Sequence, residues 1–201
     1  MSGEVIKSFA SPGTSPRGLA FDGRYLWHCD AAANRIYQLD INGVLIRYFA
    51  SPGITPRAIA FDGKYSWCSV SAGNRIYQLD TNGVTIKSFV APVTVPFGLA
   101  FDGKNLWLCD ALTTSVFQLD INGVVVKSFS TPGGLPRGVA FDGKNLWLCE
   151  DFTNFIYQLD ANGVEIRHFA APTTSPFGIA FDGKHLWVGD DVANRIYQLA
   201  L

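Results

Sequence analysis

"RGVAFDGKNLWLCE", from Arg137 to Glu150, decides the fold of this chain. It holds two short apolar runs with Asp142-Gly143 between them, and Asp-Gly in that place marks a tight antiparallel turn because the turn needs a residue at positive φ. Each run has the length of a strand and falls short of a helix. Working outward, the looser "DFTN" at Asp151 leads to a third run, "FIYQLD" at Phe155, which turns through "ANG" into a fourth, "VEIRHF" at Val164. The unit reads as four antiparallel strands in a meander.

The same unit occurs five times, its Phe-Asp-Gly standing at Phe21, Phe61, Phe101, Phe141 and Phe181, 40 residues apart with no insertion or deletion. All ten prolines fall at two positions of the repeat, beginning with Pro12 and Pro16. Proline cannot donate to a central ladder, so those segments are expected to be crossovers between sheets. Leu146 and Trp147 are successive on one strand, so the sheet is apolar on both faces and each face needs a covering neighbour. Radial packing around an axis supplies both neighbours.

The expected fold is therefore an all-β, five-bladed β-propeller with four antiparallel strands per blade. It spans 1–201 as one domain, with blade repeats at about 10–49, 50–89, 90–129, 130–169, and 170–201 plus 1–9. The chain opens with a lone fourth-strand motif, "GEVIKSF" at Gly3, and stops after a third-strand motif, "RIYQLA" at Arg195. The N-terminal strand is thus expected to complete the last blade and close the ring. Lys7, Arg47, Lys87, Lys127 and Arg167, one per outer strand, are expected to blunt the exposed edges.

Composition narrows the partners. With 48% hydrophobic and 16% charged residues the chain is of ordinary globular type. A net charge of -1, with basic residues spread through the repeats, offers no footprint for nucleic acid or an anionic membrane. No apolar run could span a bilayer, and "MSGEVIKSF" lacks the apolar stretch of a signal peptide. Cys29, Cys109 and Cys149 share one repeat position and Cys68 precedes its equivalent by one residue. Equivalent positions in separate units lie too far apart for disulfides, so the four are expected to be buried thiols, and the favoured compartment is the cytoplasm. A monomer without cofactor or metal is expected.

Residues repeated in every unit most simply serve the unit. Trp27, Trp67, Trp107, Trp147 and Trp187 are expected between blades, and Asp22, Asp62, Asp102, Asp142 and Asp182 in turns. Differences among units concentrate after the second and fourth strands, two connections that share one rim. There the residue after the second proline reads Arg17, Arg57, Phe97, Arg137, Phe177, and the end of the second strand reads Asp30, Val70, Asp110, Glu150, Asp190. Set across a hairpin, these positions pair Arg17 with Asp30 and Arg137 with Glu150. Together they describe an asymmetric channel mouth able to hold a small polar ligand, sugar or peptide through Arg17, Asp30, Arg57, Phe97, Asp110, Arg137, Glu150, Phe177 and Asp190.

"LPRGVAFDGKNLWLCE" followed by "NFIYQLDANG" resembles the NHL-repeat pattern: proline, Gly-hydrophobic-Ala-hydrophobic-Asp, an aromatic second strand, and a third strand of Asn-Arg-Ile type. "NRIYQLD" is intact at Asn34 and Asn74 and degrades to "TSVFQLD" at Thr114. The resemblance implies the propeller, and a role as docking surface, ligand sensor or, in a minority of such proteins, lyase or hydrolase. RNA docking in that class uses a basic surface, which this charge does not supply. The "DGKNLWL" blades are also similar to glutaminyl-cyclase-like propellers, which carry long pocket-building insertions that are missing here.

The reading that follows is a non-enzymatic binding or scaffold propeller. One alternative is a small carbohydrate- or peptide-active enzyme using the rim carboxylates Glu150 and Asp110 as general acid and base. The other is an amplified or engineered repeat with no biological ligand. His28, His168 and His185 occupy different kinds of segment and build no Ser-His-Asp set.

Overall fold

The computed structural model describes residues 3–201, so residues 1 and 2 of the segment expected to complete the last blade lie outside the described residues. Strand β1 (Val5–Ala10) comes first, ahead of the first blade. The first blade is β2 (Pro16–Phe21), β3 (Leu26–Asp30), β4 (Arg35–Leu39) and β5 (Leu45–Ala50). The second is β6 (Pro56–Phe61), β7 (Ser66–Val70), β8 (Arg75–Leu79) and β9 (Thr85–Val90). The third is β10 (Pro96–Phe101), β11 (Leu106–Asp110), β12 (Ser115–Leu119) and β13 (Val125–Ser130). The fourth is β14 (Pro136–Phe141), β15 (Leu146–Glu150), β16 (Phe155–Leu159) and β17 (Glu165–Ala170). The chain ends on β18 (Pro176–Phe181), β19 (Leu186–Asp190) and β20 (Arg195–Leu199).

The sheets run β2-β3-β4-β5, β6-β7-β8-β9, β10-β11-β12-β13, β14-β15-β16-β17 and β18-β19-β20-β1, all antiparallel. β1 pairs with β20, Val5 opposite Leu199, and closes the ring. This is a five-bladed β-propeller. The innermost strands β2, β6, β10, β14 and β18 touch in that order around the axis, and β18 returns to β2.

Those strands meet backbone to backbone. A Cβ on Gly18 would lie 2.5 Å from Ala58 Cα, and one on Gly138 would lie 2.5 Å from the Phe177 carbonyl oxygen, so glycine here is a condition of close approach. Blade two departs with Ala58, and its compensation explains the displaced cysteine. In blade three a Cβ on Gly98 would strike Cys109 Sγ at 2.5 Å. Opposite Ala58 stands the smaller Ser69, and the thiol moves to Cys68 on the other face of the strand. All four cysteines are buried and free.

The buried apolar residues form five clusters, each centred between two neighbouring blades. The second strand of each blade is buried along its whole length, as a strand covered on both faces must be. All five tryptophans are core, Trp147 and Trp187 with no exposed surface. The outer-strand cations also pack onto the tryptophans. Lys7, Arg47, Lys87, Lys127 and Arg167 lie over the tryptophan rings of their own blades at 5.1 to 5.5 Å from the ring centres. Lys87 and Lys127 also donate to turn carbonyls of the following blade, those of Ile121 and Ala161. Gly43 has φ +86°, and a Cβ there would overlap the ring of Phe9 in the adjacent blade, so the turn between third and fourth strands is also an inter-blade contact.

Candidate functional site

The crossovers and the second-to-third-strand loops share one rim, where the sequence varies most. The strand ends do not face each other as a plain hairpin would place them. Pro16 pairs with Asp30 and Leu19 with His28, so Arg17 and Gly18 together oppose Cys29 alone. Pro136 pairs with Glu150 and Gly138 with Cys149, which again leaves the arginine as the extra residue of a bulge. The bulge turns the arginine toward the mouth and away from the carboxylate at the strand end.

The expected pairs Arg17–Asp30 and Arg137–Glu150 are therefore not formed. Arg17 Nη1 meets Asp191 Oδ2 at 2.7 Å, and Arg137 Nη2 meets Asp151 Oδ2 at 3.0 Å. Both acids sit one residue beyond the strand end, in "DDVA" and "EDFT". The doubled acid in those loops is the signal that could have found them.

The strand-end acids have a different task. Asp30, Asp110 and Glu150 have no exposed surface and Asp190 very little. Asp30 accepts from the N–H of Ser15 on the crossover at 2.8 Å and from that of Ala33 in its own loop at 2.6 Å. Glu150 accepts from the N–H groups of Leu135, Phe152 and Thr153 and from the Thr153 hydroxyl. Asp190 accepts from the Thr173 hydroxyl, Val192 N–H and Ala193 N–H. Asp110 takes bonds from its own loop, from Leu112 N–H and the Thr113 hydroxyl. Burial pushes the Glu150 carboxyl up, but the bonds from Thr153, Leu135 and Phe152 outweigh it and hold the group below its ordinary value. In blade two Val70 fills the same volume, fully buried. Gly13 and Gly133 leave room for these side chains, since a Cβ on Gly13 would fall 2.0 Å from Asp30 Oδ2.

At the axis the remaining residues converge. Phe97 and Phe177 come from non-adjacent blades, yet their rings touch edge to face with centres 5.4 Å apart, both buried. Arg17 lies 4.2 Å from the Phe177 ring centre, Arg57 lies 4.9 Å from that of Phe97, and Arg137 lies 4.5 and 5.2 Å from those of Phe97 and Phe177. Three guanidiniums thus rest on two phenyl rings.

Their partners differ. Arg17 and Arg137 hold carboxylates, whereas Arg57 donates through Nε to Ser71 Oγ at 2.8 Å. Ser15 and Ser175 complete the ring by donating to Asp191 and Asp151. Burial, then the charges of Arg17 and Arg137, lower the basicity of Arg57. Burial, then Arg137, lower that of Arg17 against the opposing pull of Asp191.

Two further hollows are present. The axial channel opens at the opposite rim as a cup of about 90 Å³ lined by Leu19, Ala20, Phe21 and their equivalents, all apolar. A rim groove of about 290 Å³ between blades two and three is lined by Asn74, Pro92, Val93, Thr94, Asp110, Thr113 and Phe117. Among the described residues no three His, Cys, Asp or Glu side chains gather to hold a metal ion, and no helix is long and apolar enough to cross a membrane.

Comparison with solved structures returns propellers. Glutaminyl cyclase of Myxococcus xanthus superposes with a TM-score of 0.83 over 98% of this chain and 94% of that one, at 12% identity. Virginiamycin B lyase of Staphylococcus aureus gives 0.60 over 96% and 68%, at 23% identity. The Cps50 (Swd1) propeller domain of Myceliophteria thermophila gives 0.63 over the whole of both chains, at 9% identity. No protein-family model and no curated protein sequence matches the chain. Identities this low establish the fold alone, and the fold is shared by enzymes and scaffolds.

Proposed function

We propose that the chain is a non-enzymatic binding propeller of NHL-like kind, which takes a small polar ligand, sugar or peptide at the variable rim and channel mouth. The observation that carries this reading is the division of labour on the rim. The buried carboxylates are occupied by hydrogen bonds that shape their own loops, while the guanidiniums gather at the mouth and one of them has no carboxylate partner among the described residues.

A general acid works with a raised pKa, and Glu150 has the opposite shift. Glu150 thus suits loop architecture better than acid catalysis, and Asp110 is taken up by bonds from its own loop. Action as a monomer in a reducing compartment, with neither nucleic acid nor membrane as partner, belongs to the same proposal.

The test is a thermal-shift screen against sugars, short peptides and small organic acids. A ligand at a hundred times its dissociation constant stabilises by about 2.7 kcal/mol, a shift of several degrees for a chain of this size. A hit that disappears on changing mouth residues supports the reading. A hit with turnover that falls on Glu150→Gln overturns it in favour of an enzyme.

A further inference from the structure

We propose that the mouth is an oxyanion site centred on Arg57, a seat for one carboxylate or phosphate group of a small ligand. This deepens the binding-module reading and rests on it.

Charge comes first. Three guanidiniums meet at the axis, and two carboxylates, Asp151 and Asp191, lie against them. Arg17 and Arg137 each hold one of these carboxylates and Arg57 holds neither, a difference set by the sequence. Blade two carries Ser71 where blades four and five carry Asp151 and Asp191.

Arg57 is anchored through Nε alone, so its two terminal nitrogens make no hydrogen bond to the described residues. These nitrogens form the flat fork that matches a carboxylate or phosphate edge. Ser71 Oγ accepts from Arg57 and keeps its own proton to donate to the same guest.

The floor favours the same chemistry. Phe97 and Phe177 seal the axis beneath the cations, and an apolar floor weakens screening, so a charge placed there is felt more strongly than at an open surface. The like charges of Arg17 and Arg137 oppose that of Arg57, and an oxyanion between them removes the repulsion. Arg17 and Arg137, already joined to carboxylates, frame the seat. A guest with one anionic group gives Arg57 the partner that Arg17 and Arg137 already have.

The experiment titrates the intact protein with sodium acetate and, separately, with inorganic phosphate at constant ionic strength, following the Arg57 Nε–H and Ser71 amide resonances by NMR. The expected result is saturable binding with shifts at both. Affinity should fall about tenfold or more in Arg57→Gln, as for the loss of a charge-assisted bond. Ser71→Asp, which copies the loop acid of blades four and five, should weaken binding likewise while leaving Arg57 on its ring. Tighter binding of acetate assigns a carboxylate ligand, and tighter binding of phosphate assigns a phosphate.

Absence of saturable shifts with both anions overturns the inference, as do equal affinities in the wild type and both variants. If a neutral sugar moves the same resonances while both anions fail, the oxyanion site falls and the binding module stands. If none of these probes moves them, both fall.

Discussion

Trp147 donates its indole N–H to Asp142 Oδ2 at 2.8 Å, and the equivalent bond recurs in every blade at 2.7 to 2.8 Å. The same oxygen accepts from the Gln158 amide, and the other carboxylate oxygen accepts from the N–H groups of Lys144 and Asn145 in the turn. One aspartate therefore fixes a hairpin, orients the largest buried side chain and ties it to the third strand.

Asp142→Ala should lower stability by about 3 kcal/mol, because it strands a buried indole N–H as well as removing the turn bonds. Asp142→Asn keeps an acceptor without the charge and should cost roughly half as much. Urea unfolding midpoints check both, and a variant within experimental error of the parent would show the bond to be incidental.

His28 sets a pH dependence. It is fully buried, bonded through Nε2 to Ser11 Oγ at 3.0 Å and stacked on Tyr37, and its Nδ1 makes no hydrogen bond. Burial lowers its pKa from 6.5 to about 4, although the Asp30 charge pulls the other way. The unfolded chain thus takes up the proton first as the pH falls. This contribution is complete above about pH 6.5 and is lost progressively toward pH 4, roughly 3 kcal/mol in all. Other carboxylates titrate nearby, so the comparison is with His28→Leu, which copies Leu108 and Leu148. The variant should lose less stability between pH 7 and pH 4 than the parent, and parallel curves would contradict this.

The thiols should be silent in the folded state. Burial pushes Cys29 and Cys109 up to about 12, and Cys68 and Cys149 well above the ordinary range. Iodoacetamide at pH 8 is expected to label none of the four in native buffer and all of them in urea. Native labelling should proceed at the rate of global unfolding, measured independently by circular dichroism.

Removal of residues 1–9 should abolish cooperative folding. It takes away most of β1, leaves β20 as a bare edge and strips Phe9 from Trp187, whose ring centres stand 6.0 Å apart. A truncated chain with an unchanged melting transition would mean that closure contributes little.

The fold is legible in the sequence because its determinants are local and repeated. Asp142-Gly143 announces a turn whatever surrounds it, Pro132 falls in the crossover, and Pro136 opens β14 at the edge of its sheet, where no ladder donor is missed. Even closure can be read, from a strand motif without its partners at either end. The mouth is legible only in part. Arg17, Arg57 and Arg137 fall on the expected rim, with Phe97 and Phe177 beside them. Their partners escape a linear reading because a bulge shifts the register by one residue, and nothing in "PRG" distinguishes a bulged strand from a straight one. Asp151 and Asp191 are hidden behind the neighbouring Glu150 and Asp190, whose burial depends on crossover groups distant in the chain. The one-residue displacement of the second blade's thiol to Cys68 makes sense only once Ala58 is seen to occupy the space of the missing sulfur.

The pairing of β1 with β20 also sets an order of events at the ribosome. Each of the first four blades is one continuous stretch of chain and can form as it emerges. β1 emerges before any of them and has no partner until β20 follows. The fifth blade is therefore completed only after the other four have been synthesised. Through that interval β1 stays unpaired at one end of the nascent ring, which is where chaperone binding or the exchange of β1 between neighbouring chains would act.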